Sequence, residues 1–191
     1  MLPNMQKRIF DISLALLGII PAVVLMLLIA ILVKLTSKGP ALHLSQRAGV
    51  GQKSFTMPKF RTMRLGTPEV ATDKLKNPLG YLTPVGSFLR KTSLDELPQL
   101  FSILVGDMSF VGPRPALPTQ LELLERRQAI GIDNLVPGLT GLAQIKGRDY
   151  MSTDEKIEYE NEYLINNSLT MDIRIIAITF LKVFRSGEVV F

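Results

Sequence analysis

The run Ile12–Val33, ISLALLGIIPAVVLMLLIAILV, decides the architecture of this 191-residue chain. Twenty-two consecutive residues carry no charge, and only Ser13, Gly18 and Pro21 fall outside the hydrophobic set. As a helix the run is roughly 33 Å long at about 1.5 Å per residue, the thickness of a bilayer's hydrocarbon core. A cleaved signal peptide fits poorly, because the stretch is too long and no A-x-A site closes it. A helix apolar on every face is also unusual in the core of so small a domain. The reading is a membrane helix.

Its flanks do not choose a side. Lys7 and Arg8 precede it, and Lys34, Lys38 and Arg47 follow, so the positive-inside rule is balanced. Pro21 removes one backbone hydrogen bond near the middle and crowds the preceding turn. Two topologies fit: a kinked helix that spans, or one that enters the bilayer and returns to the same face.

The whole chain averages 47% hydrophobic and 20% charged, figures that look globular only because they mix this insert with a soluble-like remainder. The net charge is +5. With no cysteine, disulfide frameworks, thiolate nucleophiles and Cys-based zinc sites are excluded. His43 is the sole histidine, which excludes multi-His metal sites and argues against a His-centred triad.

Beyond the insert, residues 41–63 alternate apolar and polar either side of GVGQK (49–53) and read as a hairpin. Residues 64–80 are polar with Pro68 and Pro78, a loop. Residues 81–91 mix apolar side chains with Arg90 and Lys91, a pattern suited to a membrane surface. A helix is expected from about Asp95 through Val105, and a second over 118–130 with Leu121 and Leu124 opposite its charges. Ser152 and Glu155 form a capping box that opens a third, through Asn166. The last, about 171–185, suits core packing and surface docking equally.

The densest polar signal is RKTSLDELPQ (90–99). Ser93 and Glu96 fit a capping box, but that register puts Pro98 fifth in the helix, where its missing N–H costs a bond. A cap at Asp95 makes Pro98 third, where no donor is needed. Asp95 is then at a helix N-terminus, favourable for its carboxylate and for a phosphate attached to it. Carboxylates serve as phosphoryl-accepting nucleophiles, and Arg90 can counter phosphate charge.

GDMSFVGPRP (106–115) holds Arg114 between two prolines, a restricted backbone that either aims a guanidinium at a phosphate or forms a rigid turn. PGLTGLAQIKGR (137–148) combines glycines with Lys146 and Arg148 and is compatible with an anion nest, without P-loop spacing. Lys59 and Arg61 add phosphate-compatible charge, or occupy an exposed strand face.

Taken in order, KFRTM (59–63), RKTSLDELPQLFSILVGDMSFVGPRP (90–115) and PGLTGLAQIKGR (137–148) resemble the bacterial sugar transferase family, the monotopic phosphoglycosyl transferases, in its short form. The resemblance covers nearly the whole chain. It implies transfer of a phospho-sugar from a UDP-sugar to undecaprenyl phosphate at the cytoplasmic face of the bacterial inner membrane. Asp95 would be the nucleophile that forms an aspartyl-phosphosugar intermediate. Glu96 matches the member of the dyad associated with Mg²⁺, a sensible partner for a diphosphate. Arg90, Arg114 and Arg148 map to phosphate- or nucleotide-binding positions, and Lys59, Arg61, Pro113 and Gln144 join them as substrate-site candidates. Asp107 sits in the matched motif as a structural or a metal-binding residue.

The implied fold is α+β and mainly helical. A re-entrant membrane helix (1–38) precedes a compact catalytic domain (39–191) with a small β-hairpin and interfacial amphipathic helices. One departure stands out: well-described members carry Ser-Pro at the helix break, whereas Ile20 precedes Pro21 here, and isoleucine offers no hydroxyl to a freed carbonyl. A non-catalytic, membrane-tethered binder of anionic lipid or nucleic acid also explains the charge and the apolar run, but not the ordered motifs. The +5 charge is assigned to phosphates and anionic headgroups rather than to nucleic acid.

Overall fold

Helix α1 (Met5–Thr36) carries the apolar run and continues through Pro21 as one 32-residue element. The computed structural model describes residues 5–68, 70, 75, 77–147 and 151–185. The buried residues of α1 are Asp11, Ala15, Ala22, Met26, Ile29 and Val33. Their spacings of three, four and seven place them on one stripe. The opposite side is equally apolar yet open: Leu17 is 70%, Ile20 74% and Leu35 81% exposed. The most apolar 18-residue window has a mean hydropathy of 3.2 with only 17% of it buried, which a soluble core helix would not show.

The buried stripe packs on α3 (Gln99–Val105) and on the hairpin. Leu100, Ile103, Met57, Phe60 and Leu89 form one core with it. Polar bonds hold both ends of α1. Lys7 Nζ donates to Asp172 Oδ2 at 2.6 Å, and Arg8 donates to the carbonyls of Ile103 and Leu104 at 2.6 and 2.7 Å. The Phe110 amide donates to Asp11 Oδ1 at 3.2 Å. At the far end Arg61 Nη2 donates to the carbonyl and hydroxyl of Ser37 at 3.0 and 2.7 Å.

The expected hairpin is present. Strands β1 (Leu42–Ala48) and β2 (Ser54–Phe60) pair antiparallel, from Leu42 opposite Phe60 to Ala48 opposite Ser54. A second pair was not legible: β3 (Ser109–Val111) runs parallel to β4 (Gly138–Thr140), with Ser109 opposite Gly138 and Val111 opposite Thr140. The glycines serve this pairing. A Cβ on Gly138 would lie 2.1 Å from the Gly112 nitrogen, and one on Gly141 would lie 2.2 Å from the Gly112 oxygen. Gly138, Gly141 and Gly147 do not adopt the left-handed φ values that a nest alternates, so close backbone approach replaces the nest reading.

Helices α2 (Gly86–Lys91), α4 (Leu121–Ile130), α5 (Leu142–Lys146), α6 (Thr153–Asn166) and α7 (Leu169–Arg185) complete the domain. The capping box of α6 forms as expected: Ser152 Oγ accepts from the Glu155 amide at 3.2 Å and Glu155 Oε2 from the Ser152 amide at 2.9 Å. Helix α4 turns a different face inward from the one expected. Leu123 and Arg127 are buried, whereas Leu121 is 65% exposed. The reason is a buried partner, since Arg127 Nε donates to Glu160 Oε2 of α6 at 2.8 Å.

Helix α7 packs one face into the core, as one of its readings expects, and leaves apolar residues exposed on another. Asp172 and Ile175 are buried, and Ile175 joins Val111, Leu142 and Tyr163 in a second core, while Ile173, Phe180 and Leu181 are exposed. Tyr163 Oη donates to Asp172 Oδ1 at 2.7 Å, so the residue that anchors Lys7 of α1 also ties α6 to α7.

Candidate active site

Asp95 does not begin a helix. It lies in a 3₁₀ turn, Leu94–Glu96, between α2 and α3, and α3 starts at Gln99 with Pro98 in the capping position. A proline just outside the helix sacrifices no intrahelical bond, and this later start strands Asp95 one turn upstream. Neither proposed cap forms. Ser93 is left-handed, with φ 55° and ψ 17°, and makes no side-chain capping bond.

Asp95 is only 5% exposed and borders a cavity of about 510 Å³. Among the described residues the lining holds seven cations, Arg47, Lys59, Arg90, Arg114, Arg127, Lys156 and Lys182, against Asp95, Glu96 and Glu122. Such an excess selects for an anion carrying several negative charges. The seven cations arrive from six separate parts of the fold. Arg47 and Lys59 come from the hairpin, Arg90 from α2, Arg114 from the loop after β3, Arg127 from α4, Lys156 from α6 and Lys182 from α7.

Several are oriented by bonds to the scaffold. Arg90 Nε donates to Thr62 Oγ1 at 3.1 Å, and Arg47 Nη1 to the Pro115 carbonyl at 3.3 Å. Arg114 Nη2 donates to Glu96 Oε1 at 2.8 Å, and Arg127 Nη2 holds the Arg114 carbonyl at 3.0 Å. Lys182 Nζ donates to the Ile145 carbonyl at 2.5 Å. Gln144 also lines the cavity, and its buried Nε2 has no hydrogen-bond partner among the described residues.

The two adjacent carboxylates are driven apart electrostatically. Burial, reinforced by the Glu96 charge, pushes Asp95 up to about 6 despite Lys59, Arg90 and Arg114. For Glu96, burial acts upward too, but the charge and hydrogen bond of Arg114, helped by Lys59 and Arg47, more than offset it and hold the carboxyl below its ordinary value. Burial lowers Lys59 to about 8, with Asp95 pulling the other way. Both shifts bring the groups toward neutral pH, Asp95 from below and Lys59 from above. Paired titratable groups pushed apart by their surroundings are what a chemical site requires.

Of the residues singled out in the sequence, Lys59, Arg90, Asp95, Glu96, Arg114 and Gln144 meet at this cavity. Arg61 does not. It is 4% exposed and clasps Ser37 beneath Gly39, where its charge faces the negative end of α1. Pro113 is buried behind the cavity wall, its carbonyl accepting from the Gly138 amide at 2.9 Å. Asp107 stands in an exposed turn away from the lining. Arg148 lies outside the described residues. Sequence reading missed Arg47, Ser93, Arg127, Lys156 and Lys182. For the two lysines no local pattern pointed to the cavity, because α6 and α7 reach it only through tertiary packing.

A family model described as "Bacterial sugar transferase" matches residues 2–186. The uncharacterised sugar transferase EpsL of Bacillus subtilis is 38% identical over 183 residues, covering 94% of this chain and 88% of EpsL. The undecaprenyl-phosphate galactose phosphotransferase of Salmonella typhimurium is 39% identical over 198 residues, 94% of this chain but 40% of that protein. The UDP-glucose:undecaprenyl-phosphate glucose-1-phosphate transferase of Escherichia coli is 39% identical over 191 residues, 95% of this chain and 40% of that enzyme. The present chain thus spans most of EpsL and less than half of the two longer enzymes.

Proposed function

This chain belongs to the bacterial sugar transferase family, and from that premise we propose that it moves a sugar phosphate from a UDP-sugar to undecaprenyl phosphate, releasing UMP. The observation that carries the reading is a buried carboxylate, Asp95, that shares a cation-rich cavity with Lys59, Arg90 and Arg114. In the first step a carboxylate oxygen of Asp95 attacks the sugar-bearing β-phosphorus. The bond from that phosphorus to the bridging oxygen breaks, and UMP leaves with the electron pair. In the second, an oxygen of undecaprenyl phosphate attacks the same phosphorus. The bond to Asp95 breaks, giving undecaprenyl-diphosphate-sugar and restoring the carboxylate. Lys59, Arg90 and Arg114 balance the charge that gathers on the phosphoryl oxygens.

Glu96 suits a divalent ion. One of its oxygens is held by Arg114 and Oε2 has no partner among the described residues, where no group of three His, Asp or Glu side chains forms a cation cage. Mg²⁺ ordinarily takes one or two carboxylates and completes its shell with water and substrate phosphate. Glu96 would hold it, and when bound it would neutralise diphosphate charge.

The bonds at the two ends of α1 support a re-entrant arrangement. Lys7, Arg8 and Asp11 at one end and Ser37 at the other bond to the same domain, which a helix crossing the bilayer would leave on one side only. Pro21 lies on the exposed face. A bend at a proline opens the helix on the proline's own face, so any bend at Pro21 would carry both ends toward the domain. We therefore read residues 1–38 as a re-entrant insert and residues 39–191 as a catalytic domain on the cytoplasmic face. Exposed Phe88, Phe101 and Val105 would sit at headgroup level beside it. With Met5→Cys or Lys38→Cys in sealed right-side-out vesicles, neither thiol should react with an impermeant label until the vesicles are opened. Labelling of one from outside would establish a spanning helix instead.

The activity is tested by giving the purified protein Mg²⁺, undecaprenyl phosphate and a panel of UDP-sugars, and measuring UMP. Asp95 must be ionised to attack and Lys59 protonated to hold phosphate. The rate should therefore rise with pH through about 6 and fall above about 8. Lipid binding without UMP from any sugar would replace the transferase with a binding module.

A further inference from the structure

We propose that Ser93 is a substrate ligand, held in a strained backbone because its hydroxyl donates a hydrogen bond to the phosphoryl group that Asp95 attacks. The proposal rests on the phosphoryl-transfer reading above. Helices α3 and α4 both end on a left-handed glycine, Gly106 (φ 102°, ψ 4°) and Gly131 (φ 81°, ψ 12°). Glycine is the ordinary choice there because it has no Cβ to clash. Helix α2 is followed by the same kind of residue, whose amide donates to the Arg90 carbonyl at 3.2 Å, but here the position is filled by Ser93 (φ 55°, ψ 17°). Serine is less comfortable in this region than glycine, asparagine or aspartate.

Among the described residues the only other non-glycine with positive φ is Gln52, in the hairpin turn, and its side chain is put to use in donating to the Leu124 carbonyl at 3.3 Å. Ser93 gives the fold nothing comparable. Its hydroxyl caps no helix and has no hydrogen-bond partner among the described residues. It is exposed on the cavity lining, two residues before Asp95 and beside Arg90. Phosphate oxygens only accept, and a hydroxyl is a donor that brings no further charge into a cavity already crowded with cations. Backbone strain that the fold does not use points to the site it borders.

Two variants separate backbone from hydroxyl. Ser93→Gly relieves the strain and removes the hydroxyl, whereas Ser93→Ala keeps the strain and removes only the hydroxyl. Ser93→Gly should melt at a higher temperature than the parent. Both should lose about tenfold or more in kcat/KM for the UDP-sugar and in affinity for UDP, the usual scale of a hydrogen bond to a charged group. Wild-type kcat/KM and UDP affinity in Ser93→Ala would overturn the proposal, whatever Ser93→Gly does. UDP binding by the parent without turnover of any UDP-sugar would defeat the transferase reading alone, and the UDP affinities would still decide the role of Ser93. Failure of the parent to bind UDP would overturn the proposal as well.

Discussion

Asp95→Asn should lower UMP release by at least about 10³-fold, the scale expected when a covalent nucleophile is removed, while UDP affinity stays within about threefold. The amide is nearly isosteric, so the turn at Leu94–Glu96 survives, and loss of the negative charge relieves repulsion between residue 95 and an incoming diphosphate. The two-step route makes a further demand. With UDP-sugar and no lipid acceptor, the parent should exchange labelled UMP into UDP-sugar, because the aspartyl-phosphosugar forms reversibly. Asp95→Asn should show none of this exchange, and mass spectrometry should find the phosphosugar adduct on Asp95 of the parent only. Full turnover without exchange would favour a one-step transfer with Asp95 as a base. Undiminished turnover by Asp95→Asn would remove it from the chemistry altogether.

The second large effect is on stability. Glu160→Ala should destabilise the protein by about 3–5 kcal/mol, because it strands the Arg127 guanidinium in a site where Arg127 is 6% and Glu160 2% exposed. For a chain of this length that corresponds to a fall in Tm of roughly 6–20 °C. The double variant Arg127→Met with Glu160→Met should recover most of the loss, since a buried pair replaced by apolar groups of similar size is often neutral. It should nevertheless remain a poor enzyme, because Arg127 also fastens the carbonyl of Arg114 at the cavity lining. Thermal unfolding in one detergent throughout reads all three proteins. A Glu160→Ala variant within about 1 kcal/mol of the parent would mean that water reaches the pair.

Local features were legible wherever a short stretch contains its own physical cause. The run of apolar residues makes α1 whatever it packs on, alternation makes the hairpin, and Ser152 with Glu155 closes the first turn of α6 without outside help. The register around Asp95 was not legible. Two capping schemes competed on local grounds, and neither formed once Ser93 took the left-handed position after α2. The face of α4 was misjudged for a related reason. Charged side chains face water by default, and the exception at Arg127 exists only because α6 brings Glu160 to it.

Lys59 and Arg61 mark the boundary between the two kinds of information. They stand two residues apart in KFR, with the same charge and the same affinity for phosphate on paper. One reaches the cavity beside Asp95, and the other is buried under Gly39 at the end of α1. The amino-acid sequence by itself determined that this chain carries a long apolar helix, a hairpin, no thiol, a single histidine, and the motifs of a sugar transferase. Tertiary structure alone decided which cations surround Asp95 and how far its carboxyl and that of Glu96 are driven apart. Hydrophobic pattern and capping act over a few residues, whereas desolvation and Coulomb forces depend on groups brought together from the whole length of the chain.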